Sequence, residues 1–452
     1  MAPTRVRPAL RILALIIFSV ASGWYGSRIL GRHGDRSIGY YATPSDTGST
    51  AGDSITEEQI RELERMRSLA YLSNCRAATR NGVLLNDDSR TSGGFNLMVG
   101  TSPPGAILLD MEGNEVHRWS FDLRDFEVYV EAHQDTTFQM LLDSSKSIDR
   151  FGDDFEILGS WTSAEPMPDG GLLVLIRDYA MMRIDRDSHI LWIGDDIHAH
   201  HSFHRAMDGT IYAIGTDFRR DSLFHDGVLL LDDFVSIMDS NGHEQRRIHV
   251  REAIGNSQYS TLLSQMGQME VEPIGDFMHV NFVEYIEDSF DVDISPLKAG
   301  TILLSIRHLN LVCAIDPVTA SVYWAESDFW TQQHSPTLLD NGNLLVFNND
   351  AGVAYSSVLE YDPGEDRIVR SFDGNGDYTM LSRTRGFCQP LQNGNWLITE
   401  SQAGRAVEVD PEGEIVWEYM TPYRDPGDEN LTAVLYSVTR VGSDWVDSTV
   451  FR

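Results

Sequence analysis

Residues 391–417, LQNGNWLITESQAGRAVEVDPEGEIVW, contain one complete unit of a pattern that recurs along most of the chain. The unit has an Asn-Gly turn, a short apolar strand, a second strand that ends in Asp, another Gly turn and a strand that ends in Trp. Short strands of alternating polarity that are separated by such turns are typical of antiparallel hairpins. One unit therefore predicts a small antiparallel sheet.

Six copies of this unit can be recognised. Four end in Trp (93–119, 167–192, 299–324 and 391–417), one lacks the Trp (338–369) and one is looser (207–248). A repeat of this length indicates an array of sheets, and a closed ring hides the edge strands that an open array would expose. Residues 81–452 are therefore predicted to form an all-β, six-bladed β-propeller, with two packed β-sandwiches as the alternative fold.

Two further segments belong to this prediction. The strand LYSVTRV (435–441) is predicted to pair with the first blade and close the ring. The stretch at 251–270 has a helical pattern, which we interpret as an insertion between blades.

The chain before residue 81 has a different composition. Arg5, Arg7 and Arg11 precede an apolar run at 12–25, the order found in a secretory signal peptide or an uncleaved signal anchor. We assign residues 1–30 to this segment, 31–54, rich in Gly, Ser, Thr and Asp, to a flexible linker, and 55–80 to one amphipathic helix. The protein is therefore expected outside the cytoplasm, periplasmic or secreted, with residues 12–30 as a membrane attachment if they are not cleaved.

The charge of the chain limits its partners. It has 35 Lys and Arg against 68 Asp and Glu, a formal net charge of −33, which repels nucleic acid. An anionic small molecule can bind only where several cationic groups converge. The three cysteines lack paired spacing, so we predict no disulfide scaffold and no metal site built on cysteine. We also predict no cofactor.

Several histidines occupy matching places in the repeat. His334 and His201 are each the eighth residue before the turn Gly of their copy, so both should lie where the loops of a propeller line its channel. His279 and Asn281 are two residues apart and are predicted to share a face of an extended segment, and Arg307 follows one strand later. A hydrogen-bonded structural role for the histidines is the alternative. The run HAHHSFH (198–204) also permits a metal site, which we disfavour because no Cys or HExxH pattern accompanies it.

Four segments resemble, in wording and in order, the successive motifs of the arylsulfate sulfotransferase family, whose members do not use nucleotide-activated sulfate. They are GDFMHVNFVEY (275–285), TILLSIRHLNLVCAID (301–316), QQHSPTLLDNGNLLVFNND (332–350) and GRAVEVDPEGEIVWEY (404–419). The resemblance spans about residues 81–450. It implies a six-bladed propeller in which a channel histidine takes a sulfuryl group from an aryl sulfate and passes it to a phenol.

The resemblance also implies roles for individual residues. His334 would be the nucleophile that becomes sulfohistidine. His279, Asn281 and Arg307 would hold the sulfuryl oxygens, and His201, with His200 beside it as a substrate contact, would complete the ring of donors.

Sulfuryl transfer requires residues of these types, independently of the resemblance. A neutral imidazole is available as a nucleophile at neutral pH. Sulfuryl transfer spreads charge over equatorial oxygens as phosphoryl transfer does, so positioned Arg, Asn and His donors should stabilise it. A phenolate leaving group gains from a general acid such as protonated His279.

Two other functions are compatible with a propeller. One is a non-catalytic module whose channel binds a polyphenol, a glycan or a protein; the other is a quinone-dependent dehydrogenase, for which we find no metal-binding acid set. The sequence leaves the donor, the acceptor and the oligomeric state open.

Overall fold

The computed structural model describes residues 75–120, 129, 161–177, 180–220, 229–266, 274–289, 294–350, 355–376, 378–425 and 428–447. The predicted signal segment (1–30) and linker (31–54) lie outside these residues, as does most of the predicted helix at 55–80. Residues 75–80 are described and are not helical. Their backbone pairs with distant segments, since the Cys75 N–H donates to the Gln402 carbonyl and the Ala77 N–H to that of Asn430. The helix prediction is therefore wrong for these last residues.

Six antiparallel sheets form the blades of a β-propeller. Strand β1 (Gly82–Asn86) precedes blade 1, which contains β2 (Phe95–Gly100), β3 (Gly105–Leu109) and β4 (Glu115–Trp119). Blade 2 contains β5 (Trp161–Pro166), β6 (Leu172–Ile176), β7 (Ala180–Ile184) and β8 (Ile190–Ile193). Blade 3 contains β9 (Phe203–Arg205), β10 (Ile211–Arg220), β11 (Leu229–Met238) and β12 (Glu244–His249), with the short β13 (Ile274–Gly275) parallel to β11.

The second half of the ring has the same plan. Blade 4 contains β14 (Val280–Ile286), β15 (Thr301–Ile306), β16 (Leu311–Asp316) and β17 (Ser321–Glu326). Blade 5 contains β18 (His334–Leu338), β19 (Leu344–Asn348), β20 (Ser357–Asp362) and β21 (Arg367–Phe372), and is followed by the hairpin β22 (Gly374–Asn375) and β23 (Tyr378–Thr379). Blade 6 contains β24 (Phe387–Pro390), β25 (Trp396–Glu400), β26 (Arg405–Val409) and β27 (Ile415–Met420). The hairpin β28 (Arg424–Asp425) and β29 (Asp428–Thr432) leads to β30 (Leu435–Val441).

The two ends of the propeller sequence close the ring twice. Strand β30 pairs with β2 and becomes the first strand of blade 1, which confirms the predicted closure. Strand β1 adds to β27 at the outer edge of blade 6. Both pairings are antiparallel, and each joins a strand from one end of the propeller to a blade formed by the other end.

The repeated Asp of the sequence pattern caps a turn in every blade. Its side-chain oxygen Oδ1 accepts backbone N–H groups two to four residues further on, as Asp110 does from Glu112 (3.0 Å) and Asn114 (2.7 Å). The equivalent residues in the other blades are Asp185, Asp239, Asp316, Asp362 and Asp410. An aspartate in this place mimics a backbone turn. The turn between the third and fourth strands is therefore stabilised in the same way in all six copies.

Apolar side chains join each blade to the next. The six hydrophobic clusters each draw residues from two consecutive blades, including blades 6 and 1. The Trp at the end of a repeat lies on the outer strand and fills such an interface: Trp119 and Trp417 are fully buried. The Trp417 indole N–H also donates to the Met111 carbonyl of blade 1 at 3.1 Å.

Three short helices are described. Helices α1 (Val250–Gly255) and α2 (Thr261–Met266) lie in the predicted insertion between blades 3 and 4, and α3 (Ser443–Asp447) follows the last strand. Val250, Ala253 and Ile254 of α1 join the apolar cluster between those two blades. Among the described residues, no helix has the length and apolarity that a bilayer span requires.

Candidate active site

The first strand of each blade begins at the end of the ring where the second strand finishes, because these strands are antiparallel. First strands of neighbouring blades contact each other around most of the ring, and they therefore line its centre. Loops that precede a first strand and loops that follow a second strand thus surround one mouth of the channel.

Strand register identifies equivalent positions in the six blades. The reference is the second-strand residue that pairs first with the third strand, such as Leu344, which pairs with Tyr361. Five residues after this reference lie what we call the loop positions: Thr101, Arg177, Thr216, Arg307, Asn349 and Ser401. Four residues before its first-strand partner lie what we call the start positions: Tyr436, Thr162, His201, Asn281, His334 and Gly386.

His334 and His201 thus occupy the same start position in blades 5 and 3, as their spacing in the sequence predicted. In blade 4 this position belongs to Asn281, and His279 lies two residues before it. The predicted equivalence of the two histidines therefore reflects the fold, while His279 reaches the channel mouth from the preceding loop.

The surroundings of His334 determine which ring nitrogen carries hydrogen. Nδ1 lies 2.6 Å from Asn349 Oδ1 and 3.2 Å from the Gln332 carbonyl oxygen. The Asn349 amide nitrogen donates to the carbonyls of Ser382 and Arg385, which directs the amide oxygen towards His334. Because Nδ1 faces two acceptors, it must carry the hydrogen, and Nε2 keeps its lone pair.

His334 is also kept neutral. It is 7% exposed, and its burial, together with the charge of Arg307, lowers its pKa to about 3. The hydrogen bond to Asn349 opposes this shift. At neutral pH the side chain is therefore an uncharged imidazole with a free Nε2 lone pair, the form that a nucleophilic histidine needs.

Two guanidinium groups act on this imidazole, and a third acts on its neighbours. Arg307 donates through Nη2 to Gln332 Oε1 at 2.9 Å, and burial followed by the nearby charge of Arg385 lowers its pKa to about 10, so it remains cationic at neutral pH. Arg385 is 9% exposed, and its charge acts on both Arg307 and His334. Arg177 acts on Arg385 and on His201. These groups form the local positive centre that an acidic protein needs in order to bind an anion.

His279 is paired with a carboxylate. Its Nδ1 lies 2.5 Å from Asp276 Oδ2, and its ring lies 4.8 Å from that of His308, centre to centre. His308 Nδ1 lies 2.7 Å from the Asp276 carbonyl oxygen. Burial alone would raise the pKa of Asp276, but the charges of His279 and His308 and the hydrogen bond from His279 hold it below its usual value. Asp276 is therefore ionised and can balance a positive charge on His279.

His201 contacts His279 on one side and His200 on the other. The rings of His201 and His279 meet edge to face with centres 4.7 Å apart. His201 Nδ1 lies 2.6 Å from His200 Nδ1, and His200 Nε2 lies 2.6 Å from Thr216 Oγ1. Burial, followed by the neighbouring charges of His279 and His200, lowers the pKa of His201 well below its usual value.

Two predicted substrate contacts have other partners. Both ring nitrogens of His200 face protein groups, so its predicted contact with substrate is replaced by support of His201. The Asn281 amide nitrogen donates to the Gln333 carbonyl at 2.8 Å, which fixes the loop before His334. The prediction that His279 and Asn281 share a face of an extended segment is wrong, because His279 has a φ of +53°, which is not an extended conformation, and lies before the strand that holds Asn281.

The backbone around this channel mouth is strained at several residues of the site. His201, His279, Gln332 and Ser335 all have φ between +41° and +61° although none is Gly. Such conformations cost about 1 kcal/mol or more each and persist where the surrounding structure imposes them. The loops are therefore shaped by their contacts and not by local preference.

The geometry of one group permits a metal ligand set. Asp276, His279 and His308 have ligand atoms within 4.8 Å of one another. However, Asp276 and His279 already share a hydrogen, and Arg307 lies close enough to affect His308. A divalent cation would be repelled by this arginine, so the group is better suited to an anion. The histidines of HAHHSFH do not form a common site either: His198 lies near Asp196 (3.7 Å) and His204 near Glu287 (3.9 Å).

Comparison with known proteins places this arrangement in a family. A model of the arylsulfotransferase family (ASST) matches residues 167–421, more than half of the chain. The chain belongs to the arylsulfotransferase family. The match covers blades 3 to 6 and blade 2 except for its first strand, and it includes every histidine discussed above.

Among solved structures, three are similar to this chain. A protein of unknown function from Bacteroides caccae has 15% identity and a TM-score of 0.44 over 73% of this chain and 94% of its own. The Dos1 propeller has 11% identity and a TM-score of 0.36, over 59% and 60% of the two chains. The WD40 propeller domain of Doa1 has 10% identity and a TM-score of 0.39, over 83% and 98%. No curated protein sequence matches the chain.

Sequence reasoning missed several residues of the candidate site. They are Arg177, Thr216, Asp233, Asp276, His308, Asn349 and Arg385. Three of them, Arg177, Thr216 and Asn349, occupy the same loop position as Arg307. Comparison of the seventh residue after the turn Gly of each copy could therefore have found them, whereas the others have no equivalent signal in the repeat.

Proposed function

We propose that this member of the arylsulfotransferase family moves a sulfuryl group from an aryl sulfate to a phenol through a covalent sulfohistidine at His334. The observation that carries the proposal is the state of His334: a neutral imidazole, hydrogen on Nδ1, Nε2 unprotonated, with Arg307 and Arg385 beside it. A structural histidine has no need of cationic neighbours, which destabilise its protonated form.

The reaction has two half reactions. In the first, the His334 Nε2 lone pair forms a bond to sulfur, the bond from sulfur to the aryl oxygen breaks, and the departing oxygen takes a proton. In the second, a phenol oxygen attacks the same sulfur, loses its proton, and the electron pair of the nitrogen–sulfur bond returns to Nε2. Both steps are displacements at one sulfur and need no nucleotide.

The charged neighbours have a defined task in this scheme. The sulfuryl group carries negative charge on its oxygens throughout the transfer, and prearranged donors stabilise such charge. Arg307 and Arg385 supply guanidinium donors, and His279 can carry a positive charge because Asp276 balances it. Asn281 acts through the loop that holds His334 and not by direct contact with the sulfuryl group.

The intermediate can be trapped in the absence of an acceptor. Purified protein incubated with 4-nitrophenyl sulfate alone should gain one sulfuryl mass on the peptide that contains His334, and added phenol should remove it. Isotope-labelled sulfate in the donor should appear in both adduct and product. An adduct on another residue, or transfer without any adduct, would contradict the proposal; binding of phenols without transfer would support a binding module.

The location of the protein also remains a proposal. Residues 1–30 have the charge and apolar pattern of a signal peptide or signal anchor, and we infer that the propeller acts outside the cytoplasm. A fusion of residues 1–54 to a reporter enzyme that is active only after export tests this, and an inactive reporter would contradict it.

A further inference from the structure

The contacts behind His201 extend further into blade 3. Thr216 Oγ1 lies 2.6 Å from His200 Nε2 and donates to Asp233 Oδ1 at 2.7 Å. All members of this chain of contacts except His201 are at least nine-tenths buried: His200 is 6% exposed, Thr216 7% and Asp233 3%. The second oxygen of Asp233 accepts the Val280 N–H at 2.8 Å, directly after His279.

The carboxylate at the far end gives this chain a direction. An ionised Asp233 can only accept, so the single hydroxyl hydrogen of Thr216 must point to it. The Thr216 oxygen then accepts from His200 Nε2, which therefore carries hydrogen. His200 Nδ1 is left as an acceptor, and the hydrogen between the two histidines must belong to His201 Nδ1. It follows that the Nε2 atom of neutral His201 has a lone pair and no hydrogen.

The lone pair on Nε2 determines which role His201 can have. A neutral His201 cannot donate to the sulfuryl oxygens through Nε2, but it can accept a proton there. His279 differs, because its Nδ1 faces a full carboxylate that can balance a positive charge. The two adjacent histidines are thus prepared for different tasks: His279 for a charge next to the sulfuryl oxygens and His201 for a base.

We propose that Asp233, Thr216 and His200 are positioning residues that fix His201 as the Nδ1–H tautomer, so that its Nε2 is the base that takes the proton from the incoming phenol. The proposal rests on the sulfuryl transfer proposed above. As the phenol oxygen forms its bond to sulfur and the sulfur–nitrogen bond to His334 breaks, the phenol proton moves to His201 Nε2. In the next first half reaction this proton passes to the departing aryl oxygen, so protons balance over one cycle.

The surroundings of His201 agree with this role. Its burial, the charge of Arg177 and a positive charge on His279 all favour the neutral base. The anionic aryl sulfate that binds in the first half reaction has the opposite effect and favours the protonated form that must release the proton. The charge of the substrate thus matches the protonation state that each half reaction requires.

Asp233→Asn tests the direction of the chain with little change in shape. The Asn side chain can still accept the Val280 N–H, but its amide nitrogen donates to Thr216, which reverses every hydrogen bond up to His201 and places hydrogen on Nε2. General base catalysis contributes about 10²–10⁴-fold in rate. We therefore expect a loss of about a hundredfold or more with phenol as the acceptor, and a loss below about fivefold with an acidic nitrophenol that is already ionised at about pH 8.

Matched variants separate this role from a structural one. Thr216→Ser keeps the hydroxyl and should retain wild-type rates with both acceptors, whereas Thr216→Val should lose rate with phenol only. Asp276→Asn should lower the rate of transfer to both acceptors by the same factor, because it affects the stabilisation of the sulfuryl group and not the proton of the acceptor. Thermal unfolding of each variant shows that it is folded.

The first half reaction provides the control for the underlying function. Adduct formation from 4-nitrophenyl sulfate needs little proton donation, so it should continue in Asp233→Asn and Thr216→Val at near the wild-type rate. If wild-type protein forms no adduct, the proposed function fails. A second outcome is that the adduct forms while Asp233→Asn lowers the transfer rate to both acceptors equally, or lowers neither rate. Either result overturns the proposal for His201 and leaves sulfuryl transfer standing.

Discussion

Equivalent positions in the six blades hold the same residue at one end of the propeller and different residues at the other end. At the end that holds the turns between third and fourth strands, all six blades have the same residue, an Asp that caps the turn. At the other end, the loop positions hold Thr, Arg, Thr, Arg, Asn and Ser, and the start positions differ as much. Equivalent backbone sites therefore carry one residue where they stabilise the fold and six different sets where they form the site.

The difference has a physical basis. A turn is satisfied by groups within four residues of the Asp, so each copy solves the same local problem in the same way. The channel mouth is one asymmetric site, so equivalent positions in different blades have different tasks there. A ring of identical blades could make a strong scaffold, but it could not place a nucleophile on one side of an anion and a base on the other.

The largest expected effect lies at the site end. His334→Asn keeps a polar side chain but removes the nucleophilic nitrogen, so turnover should fall by about 10⁴-fold or more. Thermal unfolding should change little, since no repeated contact is lost. Steady-state rates with an aryl sulfate and phenol measure the first effect and calorimetry the second. Equal rates in the variant and wild type would show that this end is not where the chemistry occurs.

The next effect concerns the interfaces that all blades share. Trp417→Ala removes a fully buried side chain between blades 6 and 1 together with its hydrogen bond to Met111, and should lower the free energy of unfolding by about 3–5 kcal/mol. Denaturant titration measures it, with Trp417→Phe as a milder control. Turnover per folded molecule should be retained. A large loss of turnover in fully folded Trp417→Ala would show that the scaffold and the site are not separable.

A third effect lies within the channel. Burial raises the pKa of Glu284 to about 8, although the N–H of Leu338 opposes this. The folded state thus binds a proton that the unfolded chain has released, and this contribution to stability, complete below about pH 4.5, is lost as the pH rises through 8. Glu284→Gln should therefore be more stable than wild type by about 4 kcal/mol at pH 8 and show almost no gain at pH 4.5. Calorimetry at both values tests the sign, and an equal difference at both would refute it.

The smallest effect is expected at the turn end. Asp110→Ala removes an acceptor for the N–H groups of Glu112 and Asn114, and should cost about 1 kcal/mol of stability with unchanged turnover. Asp110→Asn keeps an acceptor oxygen and should cost less. The same pair of substitutions at Asp185 should behave alike, and a clear difference between the two blades would break the equivalence of the turns.

The same contrast explains which features could be predicted from the sequence. The blades, the closing strand and the matching places of His334 and His201 follow from local turns and strand periodicity, and the structure confirms them. The spacing of His279 and Asn281 misled, because a positive φ at His279 breaks the alternation on which the prediction depended. Asn349 could have been found from its place in the repeat, but Arg385 and Asp233 have no equivalent position in the other copies, so no short pattern indicates them. The hydrogen positions of His201 depend on a carboxylate more than thirty residues away in sequence.

Ring closure by β30 has a consequence for biosynthesis. The first strand of blade 1 is the last strand of the propeller to be made, so β2 has an open edge until residue 441 has been synthesised. An open edge is a template for pairing with another chain. We therefore expect chains truncated before β30 to aggregate even though they contain every residue of the site, and a separately added 435–447 peptide to reduce that aggregation. Truncated chains that stay monomeric and active would show that the ring closes without its final strand.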